Sequence, residues 1–115
     1  MADGAFPVHR DDRGELVVVE GDGLGFDIRR VFTVSGTDGG GARGGHVAGC
    51  TELVVLVTGS AHVRVRRPGQ PPTHHLLDEP GRAVTLRPED HVEYDLDGAG
   101  SVIVVLCDEP YRSRP

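Results

Sequence analysis

The stretch Gly40–Gly59, GGARGGHVAGCTELVVLVTG, carries the pattern that decides the fold. It begins with a glycine-rich run, passes through His46 and continues as an apolar run from Leu53 to Val57. A short apolar run that is bounded by glycine and other turn residues is typical of a buried β-strand. The stretch therefore predicts a flexible glycine segment that leads through His46 into a central strand.

The rest of the chain repeats this pattern of short apolar runs between Gly, Pro and Asp breakers. No long segment places apolar residues at helical spacing, so we expect helices to be absent or very short. Candidate strands cover residues 15–20, 27–34, 51–58, 60–67, 73–77, 83–87, 91–96 and 101–107. Many short strands at nearly even spacing are typical of a sandwich or a barrel. The sequence therefore predicts an all-β, antiparallel fold.

A tight turn is predicted at Thr58-Gly59-Ser60, because glycine adopts positive φ angles at little cost. The two runs that flank this turn, 51–58 and 60–67, are strongly patterned and adjacent in sequence. We therefore expect them to pair as a β-hairpin.

Size and charge limit the possible partners. The chain of 115 residues suffices for a single domain, which we place at residues 1–115 with a core of about 10–109 and frayed termini. Its net charge is −6, and the only basic cluster is Arg64–Arg67, so neither nucleic acid nor an anionic membrane is expected as a partner. A small-molecule ligand is expected instead.

Cellular location is predicted from what the sequence lacks. No apolar run is long enough to span a membrane, and the first residues have no signal-peptide pattern, which favours a cytoplasmic protein. Cys50 and Cys107 both border valine-rich strands, and in that setting we expect reduced, buried thiols.

Gly40, His46, Glu52 and Gly59 follow a spacing that resembles the first signature of the cupin superfamily, whose fold is a small antiparallel β-barrel or jelly roll. In that signature a second histidine stands two places after the first, where this chain has Ala48. A cupin metal site usually combines two histidines and a glutamate of this segment with a later histidine. A metal-dependent cupin that uses His46, Glu52 and His91 is therefore an open alternative.

A closer resemblance, over roughly residues 10–111, is to the dTDP-4-keto-6-deoxyhexose 3,4-ketoisomerases, small cupin sugar isomerases also described as WxcM-like. The matching runs, in chain order, are Asp12–Leu16, Phe26–Phe32, Ala42–His46, Thr58–Ser60, Leu86–Pro88 and Val104–Leu106 with Pro110-Tyr111. The resemblance implies a homodimer with a metal-free site, where a histidine pair moves a proton between neighbouring sugar carbons through an enediol. Imidazole suits that task because its pKa lies near neutrality.

The chain departs from this family at three places around the expected pocket. Ala48 replaces the second histidine, Phe32 and Thr33 stand where the family has a tyrosine pair, and His91-Val92 replaces a Trp-His step. His91 follows Pro88 on a strand that faces the same cavity in cupins, so it is the candidate to replace the missing histidine.

These observations lead to a specific set of expectations. We expect a metal-independent isomerase, without a cofactor, that acts by acid–base chemistry on a nucleotide-linked keto sugar or a secondary-metabolite intermediate. His46 is the predicted catalytic base and His91 its partner, while Arg43, Glu52, Arg30 and Thr33 are predicted to bind substrate. The alternative to an enzyme is a non-catalytic cupin that binds a metabolite or assists a partner enzyme.

Overall fold

A computed structural model describes residues 4–38 and 42–110, and every regular element in these ranges is a β-strand. The strands are β1 (Gly4–Ala5), β2 (Val8–Asp11), β3 (Gly14–Val17), β4 (Arg30–Ser35), β5 (Ala42–Val47), β6 (Glu52–Thr58), β7 (Ala61–Arg66), β8 (Thr73–Leu77), β9 (Arg82–Leu86), β10 (His91–Leu96) and β11 (Val102–Cys107). The prediction of an all-β chain is confirmed. The described ranges contain no helix that is long and apolar enough to cross a membrane.

Two antiparallel sheets face each other. One has five strands in the order β1-β9-β6-β11-β4, and the other has four in the order β5-β10-β7-β8, while β2 and β3 form a separate pair. Buried side chains of both large sheets belong to one apolar cluster, in which Val54 and Ile103 of the first meet Val63 and Val92 of the second. Packing of two sheets through their apolar faces is the usual way in which such a sandwich forms its core.

Strand β6 is buried on both of its faces. Its first five residues, 52–56, are all buried. Because side chains alternate along a strand, Val54 and Leu56 enter the core between the sheets, whereas Leu53 and Val55 point to the outside of the sheet. There the amino-terminal segment covers them, through residues that include Phe6, Val17, Val19, Leu24 and Phe26. The continuous apolar run of the sequence is thus explained by a strand with two covered faces.

The prediction of a hairpin at Gly59 was wrong. Strand β6 pairs with β9 and β11, while β7 pairs with β8 and β10, so the chain passes from one sheet to the other at this turn. Gly59 has a φ of 80°, and the Ser60 N–H donates a hydrogen bond to Ser101 Oγ at 3.1 Å. The Ser101 hydroxyl in turn donates to the Asp97 carbonyl at 2.6 Å. These hydrogen bonds hold the corner in the absence of strand pairing between β6 and β7. Because the two strands lie in different sheets, both can bury their apolar faces in the same core.

Other boundaries differ where tertiary pairing overrides local preference. The glycine-rich segment that we expected to be flexible contains β5, because β10 supplies hydrogen-bond partners for residues 42–47. The short strands β1 and β2 were not predicted. The strand expected at 15–20 ends at Val17, and the one expected at 27–34 begins at Arg30.

A pair of glycine substitutions tests the corner at Gly59. Gly59 and Gly98 both have a φ of 80°, but a Cβ at Gly59 would lie 2.6 Å from Ser101 Cα, whereas a Cβ at Gly98 would have no atom within 4 Å. Gly98→Ala should cost about 1 kcal/mol of unfolding free energy from backbone strain alone, and Gly59→Ala at least about 1 kcal/mol more. Urea unfolding of both variants measures this difference. Equal losses would show that the contact with Ser101 does not hold the corner.

Candidate active site

A cavity of about 880 Å³ opens between the two sheets, where β4 and β5 form their edges. It is lined by residues of β4, of β5 and the turn that follows it, of the start of β6, and of the segment after β11: Arg30, Val31, Phe32, His46, Val47, Gly49, Cys50, Glu52, Glu109 and Pro110. Its volume lies within the range of pockets that hold small organic ligands. Its polar groups include a guanidinium, an imidazole, a thiol and carboxylates.

A row of polar side chains crosses the five-stranded sheet beside the cavity, and two of its three members, Arg30 and Glu52, line the cavity. Arg30 of β4 pairs in register with Cys107 of β11, which in turn pairs with Glu52 of β6. Arg30 Nη2 donates a hydrogen bond to Cys107 Sγ at 3.4 Å. Glu52 is only 2% exposed, and its Oε1 has no hydrogen-bond partner among the described residues. The burial of β6 therefore carries a carboxylate into the floor of the cavity.

His46 reaches the cavity from the opposite sheet. Gly45, with a φ of 67°, stands at a bulge where the register between β5 and β10 shifts by one residue. A bulge of this kind bends a strand and redirects the next side chain. The His46 ring is half-buried and lies 5.9 Å from the Tyr94 ring, with 57° between the two planes.

The chain beyond His46 is fixed by a buried carboxylate. The Ala48 N–H donates to the Asp90 carbonyl, and the Glu89 N–H donates to the Ala48 carbonyl, both at 2.8 Å. The Asp90 side chain is fully buried and accepts hydrogen bonds from Arg67 Nε at 2.9 Å and from the Arg87 N–H at 2.8 Å. Ala48 itself is fully buried in the main core. The place of the missing histidine is therefore filled by apolar packing.

Burial shifts the two central titratable groups in opposite directions. It lowers the pKa of His46, with smaller contributions in the same direction from His91 and Arg30. It raises the pKa of Glu52, and the Arg30 guanidinium opposes this effect in part. His46 is thus kept as a neutral base near pH 7, while Glu52 holds its proton to a higher pH than an exposed glutamate does. Both shifts favour the uncharged form and bring the two pKa values closer together. A neutral imidazole can accept a proton and a protonated carboxyl can donate one, so the two groups can serve as base and acid.

The structure brings together some of the predicted site residues and separates others. His46, Glu52 and Arg30 line one cavity. Our expectation that His91 faces the same cavity is corrected, since His91 lines a second cavity of about 500 Å³. The reason is the register, in which His91 pairs with Val47 and His46 pairs with Val92, so the two histidines point to opposite faces of their sheet.

Two predicted binding residues remain, Thr33 and Arg43. Thr33 is exposed and is not among the described residues that line either cavity. The side chain of Arg43 lies outside the described part of the structure, and its predicted role stays a prediction.

Sequence reasoning gave no functional role to two buried cysteines and one tyrosine. Cys50 stands two places before Glu52, a spacing that can bring two side chains to one face of a strand. This spacing could have predicted that the thiol lies beside the carboxyl group. Cys107 and Tyr94 approach Glu52 only through pairing and packing of distant strands, which no local pattern reveals. Burial raises the pKa of the Cys107 thiol to about 11 and also raises that of Cys50, with Glu52 adding to both.

The ligand set of a metal-dependent cupin does not fit these residues. Of the expected ligands only His46 and Glu52 line the cavity, Ala48 has no donor atom, and His91 lies in the other cavity. We therefore derive no reaction step from a metal held by that set.

Comparison with known proteins agrees with the resemblance seen in the sequence. The model of the FdtA family, described as WxcM-like, C-terminal, matches residues 4–114. Among solved structures, the chain is similar to QdtA of Thermoanaerobacterium thermosaccharolyticum, a sugar 3,4-ketoisomerase in complex with TDP. The TM-score is 0.82 and the identity 26%, over 96% of this chain and 82% of that one. No curated protein matches the chain.

Two further structures share the fold at lower identity. The TDP-quinovose 3,4-ketoisomerase WlaRB of Campylobacter jejuni matches with a TM-score of 0.78 and 23% identity, over 95% of this chain and 85% of that one. The 3'-monoepimerase ChmJ of Streptomyces bikiniensis, in complex with dTDP-quinovose, matches with the same score and identity, over 96% of this chain and 64% of that one. The predicted antiparallel fold of the cupin type is thereby confirmed.

Titration of His46 by NMR tests the electrostatics of the cavity. Its pKa should lie below 6.5 in the wild type, and His91→Asn should raise it, because a like charge is removed. It should stay below 6.5 in that variant, since burial is the larger cause. His74→Asn, which changes an exposed histidine stacked on His62, is the matched control and should leave it unchanged. An unchanged His46 pKa in His91→Asn would contradict the coupling.

Proposed function

We propose, because the chain belongs to the FdtA family of WxcM-like C-terminal domains, that it is a metal-independent isomerase of a nucleotide-linked keto sugar. The observation that carries this proposal is the cavity shared by His46 and Glu52, whose pKa values are shifted in opposite directions. Isomerisation of a keto sugar needs one group that takes a proton from carbon and another that gives a proton to the carbonyl oxygen and takes one from the neighbouring hydroxyl. This pair supplies both.

The proposed reaction moves one proton between adjacent carbons and one between their oxygens. His46 removes the proton from the carbon next to the carbonyl, and protonated Glu52 gives its proton to the carbonyl oxygen, which yields an enediol. Glu52 then takes the proton of the neighbouring hydroxyl, and the His46 imidazolium returns its proton to the former carbonyl carbon. The carbonyl has moved by one carbon, and both residues have regained their starting states.

Glu52 takes the role that we had expected of His91. His91 lies in the second cavity, whereas Glu52 is in the same cavity as His46 and has an oxygen without a hydrogen-bond partner among the described residues. An enzyme that lost one histidine of its pair would need such a substitute, since a general acid or base commonly contributes about 10²–10⁴-fold in rate.

The cavity also has features that suit a nucleotide sugar. Its volume of about 880 Å³ is large enough for a ligand of that size. Arg30 lines it, and a guanidinium binds phosphate or carbonyl oxygens through directed N–H bonds. The similar structure of QdtA is a complex with TDP, which supports a thymidine nucleotide as the carrier of the sugar.

A non-catalytic, metabolite-binding cupin is the second candidate. It is favoured by the full burial of Ala48 in the core, since no side chain at that position can take part in chemistry. Binding of dTDP-4-keto-6-deoxyglucose by calorimetry, without proton exchange at the sugar ring, would be the result that identifies it.

Exchange of a sugar ring proton tests the enzyme directly. The protein is incubated with dTDP-4-keto-6-deoxyglucose in deuterated water, and loss of the proton beside the carbonyl is followed by NMR. His46→Asn and Glu52→Gln should each slow the exchange by about 10²–10⁴-fold. His74→Asn, at the exposed surface, should exchange at the wild-type rate. Full exchange in Glu52→Gln would refute the role of Glu52, and full exchange in His46→Asn would refute that of His46.

The pH profile gives an independent test of His46 as the base. The rate should fall with decreasing pH as His46 becomes protonated, because only the neutral imidazole can accept a proton. Since the His46 pKa is lowered, this acid limb should lie below pH 6.5, and it should move upward in His91→Asn. An acid limb above pH 6.5, or one that His91→Asn does not move, would argue against this assignment.

A homodimer and a cytoplasmic location stay predictions of the sequence and of the family resemblance. Light scattering of the purified protein at micromolar concentration would measure the first.

A further inference from the structure

We propose that Cys50, Glu52 and Cys107 form a binding site for one soft divalent cation of the zinc class. This site is separate from the histidine-based ligand set of cupins, which the chain does not complete. It goes beyond the isomerisation proposed above, which uses no metal.

The first argument is geometric. One sulfur from each cysteine and one oxygen of Glu52 all lie within 4.8 Å of one another. Zinc binds thiolate sulfur at about 2.3 Å and carboxylate oxygen at about 2.0–2.2 Å, so two sulfurs of a tetrahedral site are roughly 3.8 Å apart. Small side-chain rotations would therefore close the three atoms around one ion.

The second argument is that the site buries a polar atom with no hydrogen-bond partner among the described residues. Cys50 is 7% exposed, Glu52 2% and Cys107 0%, and Glu52 Oε1 has no hydrogen-bond partner among the described residues. Buried polar atoms in folded proteins nearly always have a partner, so a buried, unpartnered carboxylate oxygen beside two thiols is suited to bind a cation. A cation that accepts its lone pair would satisfy it.

The third argument is charge. Two thiolates and one carboxylate carry three negative charges, which a divalent cation and the Arg30 guanidinium would together neutralise. Arg30 already donates a hydrogen bond to Cys107 Sγ at 3.4 Å, as outer partners of metal-bound thiolates commonly do. A neutral cluster is far less costly to bury than an uncompensated one.

The chemistry of the donors selects the class of cation. Thiolate ligands favour zinc and other soft ions over magnesium or calcium. Both thiols are protonated in the metal-free protein, since burial raises their pKa values. Binding therefore breaks two S–H bonds and the O–H bond of protonated Glu52, forms two S–metal bonds and one O–metal bond, and releases three protons to solvent, with no change of oxidation state.

The site also has a consequence for the cavity. Cys50 and Glu52 line the space that His46 enters, so an ion held there is reached from the same opening. Because the ion would take the carboxylate that the isomerisation needs, occupancy should inhibit that reaction.

Cobalt is the probe for this site, because Co²⁺ bound to thiolate has an intense near-ultraviolet charge-transfer band. Metal-free wild-type protein, prepared with chelator and reductant, should show this band up to one equivalent of Co²⁺, and Zn²⁺ should remove it. Cys50→Ser and Cys107→Ser should each weaken cobalt binding by at least about 100-fold, and Glu52→Gln by about 10–100-fold. His62→Asn is the control, since a surface histidine can bind cobalt without giving a thiolate band.

A measurement on the wild type alone guards against variants that fail to fold. In weakly buffered solution, one equivalent of Zn²⁺ should release protons, as measured by pH-stat titration, and should raise the melting temperature. No thiolate band, a band that survives in both cysteine variants, or addition of Zn²⁺ without proton release would overturn the proposal. His46→Asn should keep the band while losing proton exchange, so failure of this site and failure of the proposed function are seen separately.

Discussion

Burial of β6 on both faces is the constraint on which the rest of the structure depends. Leu53 and Val55 require the amino-terminal segment as a cover, while Val54 and Leu56 require the opposing four-stranded sheet. A strand in the middle of a sheet can be covered on both faces. Strand β6 has this place, between β9 and β11. The corner at Gly59 follows, because the next strand must leave for the other sheet to provide that cover.

The chemistry of the cavity is a consequence of the same constraint. Glu52 is the first residue of β6 and is drawn into the interior with the apolar residues that follow it. A buried carboxylate is costly to ionise, which is why its pKa is raised and why Arg30 is placed two strands away in the same row. Burial of the carboxyl group of Glu52 is unfavourable by itself, but burial of the apolar residues that follow it in β6 stabilises the fold and offsets this cost.

Departure from the family pattern takes a specific physical form. Ala48 is packed in the core at the position of the second histidine, and its backbone is bonded to the loop that carries Asp90. Apolar packing therefore occupies that position, and the polar side chains that line the cavity include Cys50 and Glu52. The polar donor atoms of the cavity thus lie at His46 of β5 and at Cys50 and Glu52 near the start of β6.

The sequence by itself determined the all-β class, the central strand after Glu52 and the spacing that puts His46 and Glu52 in one signature. These follow from the local alternation of apolar and breaker residues, which a strand's own geometry imposes. Only the tertiary structure decided that β6 and β7 separate, that a glycine-rich segment becomes β5, and that His91 turns away from His46. Register and sheet membership depend on pairing between distant segments, where one residue of offset reverses every side chain, so no local pattern contains them. The meeting of Cys107 with Glu52 is of this second kind.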